Sequence, residues 1–294
     1  MALPIYATPL QRLWHYTYLA ICVLVLFFLV MPLLAVIPIS FSSSPFLEFT
    51  PGMIAFDPEA FSLRWYRLLI GDCSDPGITT VCSDRWIIGA QNSLFIGIIA
   101  TLLATTLGIM AALGLSRPYM PFRKVIMAIM ISPLIVPLII TASGVFFFFA
   151  KLNLVATFTG LIFAHTILGL PFVVITVTAT LIGYDHNLTR AAASLGGGPL
   201  RNFFKVEMPL ILPGVISGAL FAFITSFDEV VIVFFLAGFE QRTIPRQMWA
   251  GIREQISPTI LAVATILVCV SILLLTTVEL LRRRSERLRG ISPS

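Results

Sequence analysis

The chain has 294 residues, of which 58% are hydrophobic and 11% are charged, with a formal net charge of +5 and a mean hydropathy of +0.98. Soluble domains average about 25% charged residues, so this composition excludes a soluble globular protein. The apolar runs are continuous rather than alternating, which disfavours a transmembrane β-barrel. The sequence therefore predicts an all-α polytopic membrane protein.

Six apolar runs are long enough to cross a bilayer, since a transmembrane helix needs about 20 residues. The first run is too long for the core of a signal peptide and is expected to be retained as a span. No internal repeat separates the runs, so residues 1–294 are predicted to form a single domain with six transmembrane helices. The predicted spans cover about residues 16–39, 88–115, 125–150, 158–183, 210–237 and 258–281.

Two predicted spans contain prolines or polar side chains. Pro133 and Pro137 lie in the third span, and Pro171 lies in the fourth. Proline removes a backbone donor inside a helix, so we expect kinks at these places. His165 and Thr166 in the fourth span favour an interhelical hydrogen bond, with a contact to substrate as the alternative.

The distribution of Lys and Arg predicts the orientation in the membrane, because basic residues concentrate on the cytoplasmic side. With both termini cytoplasmic, most of the 19 basic residues fall in inner segments. This orientation places an outer loop at about residues 40–87 and a polar stretch at about residues 184–209 in the cytoplasm. The positive net charge thus reflects membrane topology, and no nucleic-acid partner is expected.

The outer loop carries two local signals. FSLRWYRLLI at residues 61–70 has the pattern of a short amphipathic helix that lies on the membrane surface or packs at the mouth of the bundle. Cys73 and Cys82 bracket part of the loop, and they would form a disulfide on an oxidising side of the membrane; two free thiols are the alternative. No Cys/His cluster suggests a metal site.

The polar stretch YDHNLTRAAASLGGGPLRNFFKVEMP, at about residues 184–209, has the pattern of two short helices around a glycine turn. Asp185, Asn187 or Thr189 can cap the first helix, and Gly196 can end it because glycine adopts positive φ readily. Pro199 suits the first turn of the second helix. Such a segment, here called the polar hairpin, is suited to docking in a groove of another protein. A loop that folds back on its own bundle is the alternative.

An acidic pair, Asp228-Glu229, interrupts the fifth predicted span near its centre. Ionisable residues at that depth cost several kcal/mol unless they are paired, hydrated or facing a cavity, so they indicate function. We predict a substrate pathway that involves Asp228, Glu229, Ser226 and Phe227, in which the carboxylates favour cations. Nearby aromatic rings can flank a cationic amine by cation–π contact, namely Phe221, Phe223 and Phe227. A structural pair buried against a partner's groups is the alternative.

No catalytic or phosphate-binding motif occurs in the sequence. The pattern G-x-x-x-x-G-K-[ST] is absent, and so are Gly-x-Ser-x-Gly and His-Glu-x-x-His. The chain is therefore predicted not to be an enzyme. If it moves a solute uphill, the energy comes from a partner or from an ion gradient.

The polar hairpin resembles the cytoplasmic EAA loop of the permease subunits of bacterial binding-protein-dependent ATP-binding-cassette (ABC) importers. The family pattern is E-A-A, three residues, G, nine residues, then I-x-L-P. This chain matches its spacing, with Arg190 in place of Glu and Val206 and Met208 in place of Ile and Leu. The residues assigned to coupling with the ATPase are the matching positions Arg190, Ala191, Ala192, Gly196 and Pro209, together with Leu195 and Pro199 in the spacers between them.

A narrower resemblance covers most of the second half of the chain. SFDEVVIVFFLAG and RTIPRQMWAGIREQISPTILAVAT are similar to the second permease subunit of the spermidine/putrescine branch. The resemblance implies a type I importer permease fold in the bacterial inner membrane and a small cationic amine as substrate. It also implies a second permease subunit in a heterodimer, two ATPase subunits that bind ATP and magnesium, and a periplasmic binding protein. No cofactor is expected in this chain itself.

Two alternatives follow from the same residues. Relatives in this branch carry amino-acid-like compounds, opines or other small organic solutes, so the importer could serve one of these. A protein of another class, an ion-coupled secondary transporter, would use the acidic pair for coupling ions and would need no ATPase.

Overall fold

A computed structural model of the protein describes residues 8–72, 84–117, 119–254 and 256–288. The regular structure of these residues is helical, which confirms the predicted all-α class for the described part of the chain. Cys73 and Cys82 lie outside the described residues, and their pairing stays a prediction. The helices are α1 (Pro9–Ser40), α2 (Pro51–Ile54), α3 (Arg64–Leu69), α4 (Arg85–Leu115), α5 (Arg123–Ile135), α6 (Leu138–Lys151), α7 (Phe158–Ile182), α8 (Asn187–Ser194), α9 (Pro199–Asn202), α10 (Met208–Asp228), α11 (Val231–Leu236), α12 (Ile244–Glu254) and α13 (Pro258–Leu288).

Four helical segments are long and apolar enough to cross a membrane among the described residues: α1, α4, α7 and a continuous helix from Pro199 to Asp228. They correspond to the first, second, fourth and fifth predicted spans. The third predicted span is a bent pair, α5 and α6, which raises the number to five if the pair counts as one span. The sixth predicted span falls in α13, whose apolar part among the described residues, Pro258–Leu273, is shorter than the others. A multi-pass protein is thus confirmed, and six spans stay a prediction.

The third predicted span departs from a straight helix more strongly than a kink. Helices α5 and α6 meet at an angle of 104°. The break lies at Val136, which has an extended conformation with φ −70° and ψ 132°. Val136 precedes Pro137, and the proline ring disfavours helical geometry at the residue before it. Pro133, by contrast, lies inside α5 without ending it.

The fifth predicted span ends earlier than expected. Helix α10 stops at Asp228, and a separate short helix, α11, begins at Val231. The acidic pair therefore lies at a helix end, and its placement near the centre of one long span was wrong. Glu229 is extended, with φ −74° and ψ 122°, which breaks the helix between the two segments.

The chain divides into two compact units, of which the first comprises residues 1–82 and 251–294. Within it, α13 packs against both α1 and α3. The N-terminus of α1 is fixed by a capping box between Thr8 and Gln11. The amphipathic helix predicted at residues 61–70 is present as α3, and its buried Trp65 donates from Nε1 to the carbonyl of Ser42 at 2.7 Å.

The second unit, residues 83–250, is organised around α4, α7 and α10, which pack against one another. Small residues bring α7 and α10 close together. A Cβ added to Gly214 would collide with Thr180, and one added to Gly218 would collide with Thr176. Close helix contact through small residues is the usual way in which transmembrane helices gain packing energy, since lipid offers no hydrophobic driving force between them.

A π-helical turn, Phe203–Glu207, joins α9 to α10. At its end the backbone N–H of Met208 donates to the carbonyl of Phe203, five residues earlier. The next residue is Pro209, which has no N–H and whose ring would clash with a carbonyl four residues earlier in a regular α-helix. The wider turn accommodates this proline without ending the helix, so Pro199 to Asp228 is one continuous element.

Candidate functional site: the polar hairpin and the acidic end of its helix

The polar hairpin has the helix–turn–helix form that its sequence predicts. Asp185 Oδ1 accepts a hydrogen bond from the Asn187 N–H at 2.9 Å, which organises the start of α8. Gly196 follows α8 with φ +83°, a left-handed conformation that favours glycine and ends the helix. The turn is closed by Asn202, whose Nδ2 donates to the carbonyl of Gly197 at 3.0 Å.

The polar hairpin exposes large apolar side chains at its tip and in the π-helical turn. Leu195 is 90% exposed, Leu200 is 75% exposed and Phe204 is 62% exposed. Exposed basic residues lie among them, namely Arg190, Arg201 and Lys205. The hairpin therefore does not bury its apolar face on the described chain, as a loop that folds back would. An exposed apolar patch with a charged rim is typical of a protein–protein interaction surface.

The predicted coupling positions are spread along this hairpin. Ala191 is exposed and Ala192 is half-buried in α8. Gly196 forms the turn, Pro199 occupies the first position of α9, and Pro209 follows the π-helical turn. These positions share one structural element, and their role in coupling stays a prediction.

The two carboxylates of the acidic pair have different environments. Glu229 is buried, with 7% of its surface exposed, and its Oε1 accepts a hydrogen bond from the Ile232 N–H at 2.9 Å. It thereby satisfies a free N–H group in the first turn of α11. Asp228 is exposed, and no described residue forms a hydrogen bond or an ion pair with it. The Glu229 carboxylate is thus used in a hydrogen bond to the backbone, whereas the Asp228 carboxylate is exposed and can contact a ligand.

Ser226 lies two residues before Asp228 in α10 and is buried. Its Oγ is 2.8 Å from Nδ1 of His165, and its carbonyl oxygen is 3.1 Å from the same nitrogen. This contact is the interhelical hydrogen bond between α7 and α10 that the sequence favours for His165. Nε2 of His165 is buried and has no hydrogen-bond partner among the described residues.

Aromatic side chains flank this end of α10. Phe227 stacks on Phe223 with ring centroids 5.6 Å apart and an interplanar angle of 30°. Phe223 also approaches Gly97 of α4, where an added Cβ would lie 3.2 Å from the ring. Phe227 is partly exposed and directly precedes Asp228, whose carboxylate is exposed.

Comparison with known proteins identifies the class to which this fold and hairpin belong. Residues 104–288 match the family model of the binding-protein-dependent transport system inner membrane component. The matched region spans more than half of the chain and contains the polar hairpin and the acidic pair. This chain belongs to that family, and it is a permease subunit of an ABC transporter.

Within this class the chain is homologous to polyamine permeases. It is 28% identical over 256 residues to the spermidine/putrescine transport system permease protein PotC of Escherichia coli strain K12, covering 87% of this chain and 90% of the relative. It is 31% identical over 248 residues to the putrescine transport system permease protein PotI of the same strain, covering 82% of this chain and 81% of the relative. The predicted resemblance to this branch is confirmed.

Solved structures agree on the fold. A chain of a bacterial ABC transporter that is involved in the import of the acidic polysaccharide alginate superposes with a TM-score of 0.70. The two chains are 15% identical, and the match covers 94% of this chain and 99% of that one. At this identity the comparison establishes the permease fold alone.

Proposed function

We propose that this chain forms half of the substrate pathway of an ATP-driven importer for a small cationic amine such as spermidine or putrescine. Its homology to PotC and PotI supports this substrate class. Its membership of a binding-protein-dependent family favours import driven by a partner ATPase over an ion-coupled mechanism.

The observation that carries the proposal is one helix that joins the two candidate sites. It begins at Pro199 in the exposed tip of the polar hairpin and ends at Asp228. Its 30 residues correspond to a length of about 45 Å at 1.5 Å per residue, which exceeds the thickness of the hydrocarbon core of a bilayer. Because this helix is continuous, a displacement of the hairpin would move its other end, at Asp228, as well.

In this mechanism the chain lies in the bacterial inner membrane, and both termini and the polar hairpin are on the cytoplasmic side. Two ATPase subunits bind ATP and magnesium and dock on the hairpin of this permease and on that of a second permease subunit. Leu195 and Leu200 supply apolar contacts, and Arg190 replaces the acidic residue that the family pattern carries. Closure of the ATPases moves the hairpin and switches access of the pathway from outside to inside.

At the other end of the helix, Asp228 offers a negative charge to the passing substrate. A periplasmic binding protein delivers the amine and sets the affinity, so the pathway needs a weak and transient contact. The exposed carboxylate suits such a contact, because an exposed ion pair is worth about 1 kcal/mol or less. The stacked Phe227 ring provides an aromatic face beside it.

The proposal is tested in proteoliposomes that contain the complete transporter with its binding protein. We expect polyamines to stimulate ATP hydrolysis and to be taken up. Stimulation by a zwitterionic amine, an opine or a sugar instead would retain the importer and exclude the polyamine assignment. Failure of the chain to co-purify with an ATPase subunit would exclude the coupling role.

The docking surface is tested by Leu195→Ala, with Leu195→Met as the matched control that keeps apolar volume. Leu195 is 90% exposed, so truncation should leave the permease folded and weaken its association with the ATPase. Loss of an apolar anchor at the centre of an interface typically weakens binding by about tenfold or more. Equal association of the two variants would contradict a docking role for this side chain.

A further inference from the structure

A chain of three side-chain groups closes the base of the polar hairpin. The hydroxyl of Thr189, in α8, donates to Oε1 of Glu207 at 3.1 Å. The phenol oxygen of Tyr184, just after α7, lies 2.7 Å from the same threonine oxygen. A threonine hydroxyl has one proton, and this proton is given to Glu207. Tyr184 must therefore donate to Thr189, and the chain runs from Tyr184 through Thr189 to Glu207.

The end of this chain is an unusual place for a carboxylate. Glu207 is only 6% exposed and is the last residue of the π-helical turn. Burying a carboxylate is costly unless hydrogen bonds replace its lost hydration. No described residue forms an ion pair with Glu207, and its side-chain hydrogen-bond partner among the described residues is the Thr189 hydroxyl. Removal of this one donor would leave a buried acceptor without a hydrogen bond, which is costly.

The three residues belong to three separate segments. Tyr184 follows the end of α7, Thr189 lies in the first helix of the hairpin, and Glu207 lies at the base of α10. At the tip, by contrast, the turn is closed by the Asn202 side chain, which donates to the Gly197 carbonyl, and by backbone bonds such as that from the Gly197 N–H to the Ala192 carbonyl. The chain at the base is therefore the side-chain connection that ties α8 to both of the helices that carry the hairpin.

We infer that Tyr184, Thr189 and Glu207 are positioning residues that couple movement of the hairpin to the transmembrane helices. This inference rests on the proposed function, in which an ATPase moves the hairpin. With the three residues connected, a displacement of α8 is passed to the base of α10 and to the end of α7 together. Without the connection, α8 can shift on its short linkers while α10 stays in place.

The decisive variant is Thr189→Val, which removes the hydroxyl at nearly constant volume, with Thr189→Ser as the matched control that retains it. Both are assembled into the complete transporter and reconstituted with the binding protein. The measured quantity is the amount of polyamine taken up for each ATP hydrolysed. A hydrogen bond to a charged group corresponds to a change of about tenfold or more in an equilibrium. We expect this ratio to fall roughly tenfold in Thr189→Val and to stay near the wild-type value in Thr189→Ser.

A second variant guards against loss of assembly. Tyr184→Phe removes the donor to Thr189 and leaves the bond from Thr189 to Glu207 in place, so we expect a smaller fall of the same ratio. Ser194→Ala is a control on α8, because its exposed hydroxyl bonds only to a carbonyl of its own helix, that of Arg190. If Thr189→Val reduces the yield of complex, the ratio of uptake to ATP hydrolysis in the Tyr184→Phe complex tests the coupling role instead.

The outcomes separate this inference from the proposed function. Wild-type protein that shows no polyamine-stimulated hydrolysis contradicts the proposed function. Wild-type protein that transports, together with an unchanged ratio in Thr189→Val or in an assembled Tyr184→Phe complex, overturns the coupling role alone. An equal fall in Thr189→Val and Thr189→Ser overturns it as well, because the hydroxyl would then not be responsible.

Discussion

Asp228 and Glu229 are neighbours in sequence, yet they should respond differently to the loss of a charge. Asp228→Asn removes the charge with almost no change in volume from a side chain that is exposed and has no hydrogen-bond partner among the described residues. A unit charge about 4 Å from a cation contributes about 1 kcal/mol in water and about 4 kcal/mol at an effective dielectric constant of 20. For an exposed carboxylate we take the lower end of this range, about 1 kcal/mol, which corresponds to a factor of roughly 5 in an equilibrium constant.

Glu229→Gln removes the second charge but keeps the local structure. The Gln amide oxygen can still accept the hydrogen bond that Glu229 Oε1 receives from the Ile232 N–H. We therefore expect a change in uptake of less than about threefold. Glu229→Leu, by contrast, loses the acceptor and should lower the free energy of unfolding by about 1 kcal/mol, the typical cost of removing a helix cap.

The assay is initial-rate uptake of putrescine into proteoliposomes at several concentrations of the loaded binding protein. Basal ATP hydrolysis without binding protein serves as the measure of intact assembly. We expect Asp228→Asn to impair uptake while basal hydrolysis stays unchanged, and Glu229→Gln to resemble the wild type. Greater impairment in Glu229→Gln than in Asp228→Asn would refute the assignment of the open carboxylate to the pathway and of the buried one to the cap.

Two further predictions concern packing and the outer loop. Gly218→Ala places a methyl group against Thr176 in the contact between α7 and α10 and should destabilise the protein by about 1–3 kcal/mol, as overpacking does. Thermal unfolding in detergent checks this, with Gly144→Ala as the control because a Cβ added there meets no atom within 4 Å beyond the adjoining backbone of its own helix. Cys73 and Cys82 are expected to form a disulfide, so thiol alkylation should modify them only after reduction; modification without reductant would exclude the bond.

The polar hairpin could be predicted well from sequence because its signals are local. The hydrogen bond from the Asn187 N–H to Asp185 and the left-handed conformation of Gly196 each depend on residues within one turn of each other. The exposed apolar tip follows from the same pattern, since Leu195 flanks the glycine turn and has no segment to bury it. The break before Pro137 could also be predicted, because proline disfavours helical geometry at the residue before it. This rule does not predict the angle of 104° between the two helices.

The end of α10 at Asp228 could not be predicted from the same kind of signal. The run FAFITSFDEVVIVFF contains no glycine or proline, and its apolar character continues through residue 236. The helix restarts because Glu229 supplies an acceptor to the Ile232 N–H. An acidic side chain three residues before a free N–H is a capping signal in water-soluble helices, but in a long apolar run the same side chain indicates a charge within a span. The partner of His165, Ser226, likewise depends on tertiary packing that no local pattern specifies.

The π-helical turn lies within the EAA-type motif, and it affects the direction in which Leu200 of the proposed docking surface faces. A π turn adds one residue to a helix, and one residue corresponds to a rotation of about 100°. The side chains of α9, including Leu200, are therefore rotated by about that angle relative to where a regular helix would place them with respect to Asp228. Pro209 follows the turn after Met208, and it has no N–H with which to donate to the carbonyl of Lys205. Since Glu207 ends the same turn and accepts a hydrogen bond from the Thr189 hydroxyl, the proline that follows the turn and the carboxylate that connects it to α8 lie at one geometric feature. Conversion of this turn to regular α-helix would move Leu200 around the axis and separate Glu207 from Thr189 at once, so the orientation of the hairpin and its attachment to α10 depend on the same few residues.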